Sequence, residues 1–428
     1  MKIPSIVKTL SASYVVLGFA SFCLLDCGLR VIGEGPLSFS PFKTPSRTPI
    51  YYNVRDFDKK QARPQIALLG SSLMMTALHG GDAAYTNLSV NPNIHHSSQY
   101  FEKTLTETFP PGKQAFKTFA FCIGGEMVSD AFILTDALLT GQNQHLSQNI
   151  AAPFKPKVII YGIAPRDFMD HALPSPAATT VFKFVKRMHD LSYLDDQAYA
   201  TLNEKIEHLF EKISFIYAHR PDLVYRQQAL AGALIQAIRH DPAIEAQTVH
   251  CPLHIRKQAY LELPEDTGIN EGIIEPPEAT EPFVDNTAEY KYRYKKYNQK
   301  QLDSQFGFLD RLLALGQRQN IRVILINMPL TQDNISLMAP GFYDTYLKRV
   351  KTVARSRNAI MLDLNDQSKF PKNWFGDSAH LNSRGGMHFF KVLTEALASN
   401  EITRKIIADS IEAPDLGKIQ LDDKPQSR

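Results

Sequence analysis

Residues 65–73 read QIALLGSSL, a continuous apolar run that stops on Gly70-Ser71-Ser72 and passes directly into a helix-forming stretch. An apolar run without alternation marks a strand buried on both faces, as in a parallel sheet. Four more runs share this character: Phe116–Phe121, Val158–Ile163 (VIIYGI), Arg322–Met328 (RVILINM) and Ala359–Leu364. Amphipathic stretches separate them, at Gln99–Phe109, Val128–Leu139, Gln301–Gln319, Tyr343–Arg357 and Arg384–Ser399. Strand and helix in alternation predict an α/β three-layer sandwich around a mostly parallel central sheet.

Composition narrows the function classes. With 428 residues, 44% of them hydrophobic, the chain can build a large core. A formal net charge of +3 argues against nucleic-acid binding. No Walker or dinucleotide glycine pattern and no zinc-type Cys/His spacing occurs, so no cofactor or metal is expected. Cys23 and Cys27 lie in the apolar N-terminal stretch, while Cys122 and Cys251 stand alone. Cys122 lies in an apolar run and reads as a small core residue rather than half of a bridge to Cys251. His95-His96 has no carboxylate or cysteine at ligand spacing, and His388 falls on the last amphipathic stretch as a structural residue.

The N-terminus reads as a membrane signal. Lys2 and Lys8 precede the apolar run Leu10–Gly33, and a span from about Ile6 to Leu25 would cross the hydrocarbon core, leaving Asp26 and Arg30 at the outer interface. No small-x-small site follows, and Asp26 before Cys27 spoils a lipoprotein-type site. An uncleaved single-pass anchor is therefore expected over residues 1–33, ahead of a cleaved signal peptide, with the N-terminus cytoplasmic and the main body periplasmic or extracellular.

Residues 34–64, rich in Pro, Ser, Thr and Arg, read as a linker, residues 65–168 and 320–400 as the core, and residues 401–428 as a C-terminal tail. Residues 169–319 exceed what one crossover needs and predict a mostly helical insertion. Within it, residues 262–286 hold eight acidic residues, four prolines and no basic residue, the composition of an irregular surface loop. Tyr290, Tyr294 and Tyr297 in YKYRYKKY share one helix face, predicted to pack on the insertion while the basic residues meet solvent.

Two short segments carry chemistry. A serine at a strand-to-helix turn presents its hydroxyl at the C-terminal edge of the sheet and its N–H at a helix N-terminus. Ser72 meets this description, although serine there is also an ordinary helix cap. Near the other end, Trp374–Asn382 reads WFGDSAHLN, with Asp377 three residues before His380. A serine nucleophile needs a base, and the base needs an acceptor to fix its tautomer.

GSS after the first strand, a glycine after the second, a short motif after the third and D-x-x-H before the last helix together resemble the SGNH/GDSL hydrolase superfamily. The usual G-D-S opening is altered, with Ser71 in the Asp position. The resemblance implies Ser72 as nucleophile, with Ser71 as its competitor, His380 as base and Asp377 as orienter. It implies an oxyanion hole from the N–H of Ser72, the N–H of Gly125 or Gly124, and an Asn in a G-x-N-D motif. Here that motif reads Gly162-Ile163-Ala164-Pro165-Arg166-Asp167, with Ala164 in the Asn position. Arg166 is the expected substitute donor, unless it forms a structural pair with Asp167. The A-P-R-D-F stretch and the N-terminal anchor are similar to a membrane-anchored branch acting on envelope polymers, such as the lipoteichoic-acid D-alanylation and alginate O-acetylation proteins. That resemblance implies an acylated glycan or envelope polymer as substrate and a multi-pass membrane acyltransferase as partner. The expected function is serine acyl-ester hydrolysis or O-acyl transfer. The rival from another class is a glycan-binding scaffold that keeps the fold without efficient chemistry.

Overall fold

The computed structural model describes residues 14–33, 48–58, 64–109, 115–139, 156–220, 223, 224, 227, 231, 272–277, 281–296 and 298–412. These fall into two compact units. The smaller takes its residues from the stretches Met1–Asp58 and Leu173–Gly272, the larger from Lys59–Gln142, Ile150–Ala172 and Ile273–Arg428.

The larger unit alternates strand and helix. Its elements are β1 (Ile66–Gly70), α1 (Ser72–Thr86), α2 (Gln99–Thr108), β2 (Thr118–Cys122), α3 (Val128–Leu134), β3 (Val158–Ile163), α4 (Pro165–Phe168), α5 (Thr287–Arg293), α6 (Gln299–Arg318), β4 (Arg322–Asn327), α7 (Phe342–Ser356), β5 (Ile360–Asp363), α8 (Ser383–Ser399) and α9 (Glu401–Glu412). The five strands pair in parallel in the order β2-β1-β3-β4-β5. Every residue of β1, β2 and β3 is buried, as their unbroken apolar runs predict. β5 is an edge strand and stays half-buried to exposed. α1 and α2 pack with α8, whereas α3 and α7 pack with α6. For this strand order the right-handed crossover rule assigns these two groups to opposite faces of the sheet, consistent with the expected three layers.

α1 and α8 meet at small residues. A Cβ on Gly386 would lie 2.3 Å from the Ala77 carbonyl oxygen, and one on Gly81 would lie 3.0 Å from the Gly386 carbonyl carbon. This close crossing sets the start of α8 against the middle of α1, and the loop just before α8 reaches Ser72 at the C-terminal end of β1. That end of the strands is where open α/β sheets gather ligands.

In the smaller unit, helix Tyr14–Gly33 covers the described part of the expected membrane span. Among the described residues no helix is long and apolar enough to cross a membrane. The start of the expected span, with Lys2 and Lys8, lies outside the described residues. Asp26 was expected at an outer interface. Instead it is buried, and its carboxylate accepts from Ser214 Oγ at 2.7 Å and from the N–H groups of Ile216 at 2.8 Å and Phe215 at 3.1 Å. It satisfies the orphan donors at the start of helix Phe215–Ala218. The linker expected over 34–64 is also corrected in part. Pro49–Asp58 is helical and buries Ile50, Tyr52 and Val54, with Tyr51 edge-on to Phe184. The expected insertion closes earlier than residue 319, because α6 is a core helix and the chain from Ile273 belongs to the larger unit. Cys122 is a buried free thiol; Cys251 lies outside the described residues.

Candidate active site

β1 ends on Gly70, whose φ of +154° and 2.7 Å approach to the Met74 side chain exclude a Cβ there. Ser71 then caps α1 in an extended conformation, and Ser72 is the first helical residue. The two serines have different fates. Ser71 is buried, and its Oγ makes no well-formed hydrogen bond, facing the Asp167 carboxylate. Ser72 Oγ lies 2.8 Å from His380 Nε2.

The loop before α8 holds the other two groups. Asp377 Oδ2 lies 2.7 Å from His380 Nδ1, while its Oδ1 accepts the backbone N–H of Ala379 at 2.8 Å and of His380 at 2.7 Å. Burial pushes the Asp377 carboxyl upward, but the hydrogen bonds to His380 and Ala379 outweigh it and hold the group below the usual carboxylate range. An ionised Asp377 on Nδ1 orients the ring and leaves Nε2 free to accept the Ser72 proton. Below the ring, the His380 carbonyl takes the Gly376 N–H at 2.9 Å, and Asn382 caps α8 through the Gly385 N–H at 2.8 Å. The expected Ser72, His380 and Asp377 therefore come together in a linked row.

Gly125 follows β2 with φ +84°, a conformation that favours glycine. The N–H groups of Ser72 and Gly125 have no hydrogen-bond partner among the described residues. Both sit at the C-terminal edge of adjacent strands, where Ile123 donates to the Gly70 carbonyl at 3.0 Å.

Arg166 takes the structural-pair arrangement that was the stated alternative to the oxyanion role. Its Nε donates to Asp170 at 3.1 Å, and its Nη1 donates to Asp167 at 3.1 Å and to the Glu126 carbonyl at 2.9 Å, with the side chain 5% exposed. These acceptors hold the guanidinium in a buried ion-pair cluster, so it is withdrawn from the expected oxyanion role. Asp167 also accepts the Ala164 N–H at 2.9 Å. Burial raises the Asp167 carboxyl to about 6 despite Arg166. Glu126 is buried without a hydrogen bond to either carboxylate oxygen, and burial beside Asp130 and Asp167 pushes it well up.

A segment absent from the sequence-based site is hydrogen-bonded to the Asp377–His380 loop and to the start of α8. Val284 donates to the Gly376 carbonyl at 2.7 Å. Asn286 Oδ1 accepts both the N–H of Ser378 at 3.0 Å and its Oγ at 2.5 Å. Glu281 takes the Ser383 N–H at 2.9 Å, at the start of α8. The acidic, proline-rich composition that signalled a surface loop gave no sign of these contacts. Of the expected tyrosine face, Tyr290 and Tyr294 are buried and Tyr297 lies outside the described residues.

The histidines set aside in the sequence have structural work. His95 Nε2 lies 2.6 Å from Asp82, which also receives the N–H groups of Gln99 and Tyr100 at the start of α2. His388 stacks on Trp374 at 4.6 Å. Among the described residues no group of His, Cys, Asp or Glu is arranged to hold a metal. Compared with protein-family models and with curated proteins, the chain matches none.

Proposed function

We propose that this chain is a serine acyl esterase or O-acyltransferase of SGNH type. The observation that carries the reading is the row Ser72 Oγ–His380 Nε2 at 2.8 Å and His380 Nδ1–Asp377 Oδ2 at 2.7 Å. Ser72 Oγ bonds to an ester carbonyl carbon while its proton passes to His380 Nε2. The N–H groups of Ser72 and Gly125 receive the developing alkoxide. Collapse breaks the ester C–O bond, and His380 returns the proton to the departing alcohol. Water or a sugar hydroxyl then takes the acyl group from Ser72. An acylated envelope glycan or polymer as substrate, a multi-pass acyltransferase as partner and an extracytoplasmic location belong to the proposal through the motif resemblance and the apolar N-terminal run.

The experiment is active-site labelling with a fluorophosphonate, mapped by peptide mass spectrometry. One adduct on Ser72 is expected, absent from Ser72→Ala and from His380→Gln. An unlabelled wild-type protein, or an adduct on Ser71, would overturn the assignment. The scaffold reading has one observation in its favour, the combination of Ala164 with an Arg166 held by Asp167 and Asp170. It predicts no labelling at all.

A further inference from the structure

An oxyanion hole with Ala164 in the Asn position and Arg166 turned into an ion pair retains two backbone donors. A tyrosine ring stands beside His380. Tyr290, on α5, is 4% exposed, and its ring centroid lies 6.3 Å from that of His380. The electrostatic neighbours of its hydroxyl are Arg166, Asp377, Arg293 and Asp167. Arg166 in turn holds the carbonyl of Glu126, the residue after Gly125. The phenol ring thus lies beside His380 and within electrostatic reach of Arg166.

Other buried tyrosines nearby use their hydroxyls. Tyr294 donates to Asn334 at 3.1 Å, and Tyr346 donates to Asn327 at 3.0 Å. The Tyr290 hydroxyl makes no hydrogen bond among the described residues and is not one of the fully enclosed unpaired polar atoms. The segment that carries it is fastened to the catalytic loop by Val284 and Asn286. Burial pushes the phenol well up, so it stays protonated and can donate.

We propose that the Tyr290 hydroxyl is the third donor to the oxyanion formed when Ser72 attacks an ester carbonyl, standing in for the side chain that Ala164 lacks. This rests on the acyl-transfer reading above. As Ser72 Oγ bonds to carbon and its proton passes to His380, the carbonyl π pair moves to oxygen. The Tyr290 O–H then donates to that alkoxide alongside the N–H groups of Ser72 and Gly125, and withdraws when the C–O bond re-forms as a carbonyl.

The test is Tyr290→Phe, which keeps the ring against His380 and removes only the donor. Acylation of Ser72 by 4-nitrophenyl acetate would be followed in single turnover, with affinity for an alkylboronic acid that forms a tetrahedral adduct on Ser72. The expected result is acylation slowed by about 10²-fold, the cost of one oxyanion donor, with a matching loss of boronate affinity. KM and the thermal midpoint should stay unchanged. Equal acylation rates in both proteins would overturn the role of Tyr290 while leaving the serine mechanism standing. A fall in thermal midpoint with KM altered would mark Tyr290 as structural and overturn it too. A wild-type protein that is not acylated on Ser72 would sink both readings.

Discussion

Replacing Gly386 by alanine tests whether the α1–α8 crossing sets the Ser72–His380 distance. The added Cβ would lie 2.3 Å from the Ala77 carbonyl oxygen and 2.8 Å from the Gly81 nitrogen, where ordinary contact begins at 3.4 Å. Both obstacles are backbone atoms, so no rotamer change relieves them. The helices must part by about 1 Å, and such overpacking costs about 1–3 kcal/mol. The better helix propensity of alanine offsets about 0.5–1 kcal/mol of that. Because α1 begins at Ser72 and α8 starts just after His380, the same movement opens the 2.8 Å contact between them. A displacement of about 1 Å at a reacting pair costs about 10²-fold in rate. Urea unfolding and the rate of fluorophosphonate labelling should therefore fall together in Gly386→Ala. Gly307→Ala on α6 is the control, since a Cβ there meets nothing within 4 Å. It should gain up to about 1 kcal/mol and label at the wild-type rate. Wild-type stability and labelling in Gly386→Ala would refute the argument that this crossing positions the site.

Arg166→Met should lose about 3–5 kcal/mol in urea unfolding, because it leaves the buried Asp167 without its cation while Arg293 still pairs with Asp170 at 2.7 Å. Its labelling rate per folded molecule should stay within about tenfold of wild type, and a drop of about 10²-fold would restore the oxyanion role. Glu126 has a folded-state pKa above its unfolded value, so its contribution to stability is lost as pH rises above the ordinary carboxylate range. Glu126→Gln should therefore match wild type near pH 4 and exceed it progressively toward pH 8 in urea midpoint; a gap independent of pH would reject this. His79 has the opposite sign. Burial lowers it from 6.5 to about 3, so its neutral form stabilises the fold and that stability is lost as pH falls below 6.5. Wild type should lose stability between pH 6.5 and pH 4 more steeply than His79→Gln, and parallel curves would contradict it.

The strands and the Asp377–His380 pair were legible because each is encoded locally. An unbroken apolar run such as VIIYGI can be satisfied only between two layers, and Asp377 and His380 share one tight loop, so their meeting needs no knowledge of distant chain. The edges of the site were not legible, for a common reason: each depends on a partner remote in sequence. Asp26 looked like a flaw in an apolar span until Ser214, Phe215 and Ile216 supplied its donors. Glu281 and Asn286 sit in a stretch whose composition says only that it cannot form a regular element, yet their polar groups meet unpaired N–H groups of the catalytic loop and of α8. Composition measures the ability to bury apolar surface and is blind to such polar capping.

Arg166 was open to two readings, and local geometry decides between them. Asp167 is its neighbour and Asp170 stands four residues on, so a single turn of chain after β3 brings both carboxylates to the guanidinium. A cation with two anions at about 3 Å in a dry environment is held by attractions that far exceed those in water. Turning it toward a substrate oxygen would strand the buried Asp167, while Asp170 would keep Arg293. The Ala164 N–H is likewise committed, to Asp167. The turn after β3 therefore has little to offer a substrate, in either side chain or backbone. On the proposed reading, any donor beyond the two backbone N–H groups has to come from elsewhere in the chain, and α5, fastened to the Asp377–His380 loop through Asn286, carries Tyr290, whose ring lies 6.3 Å from that of His380.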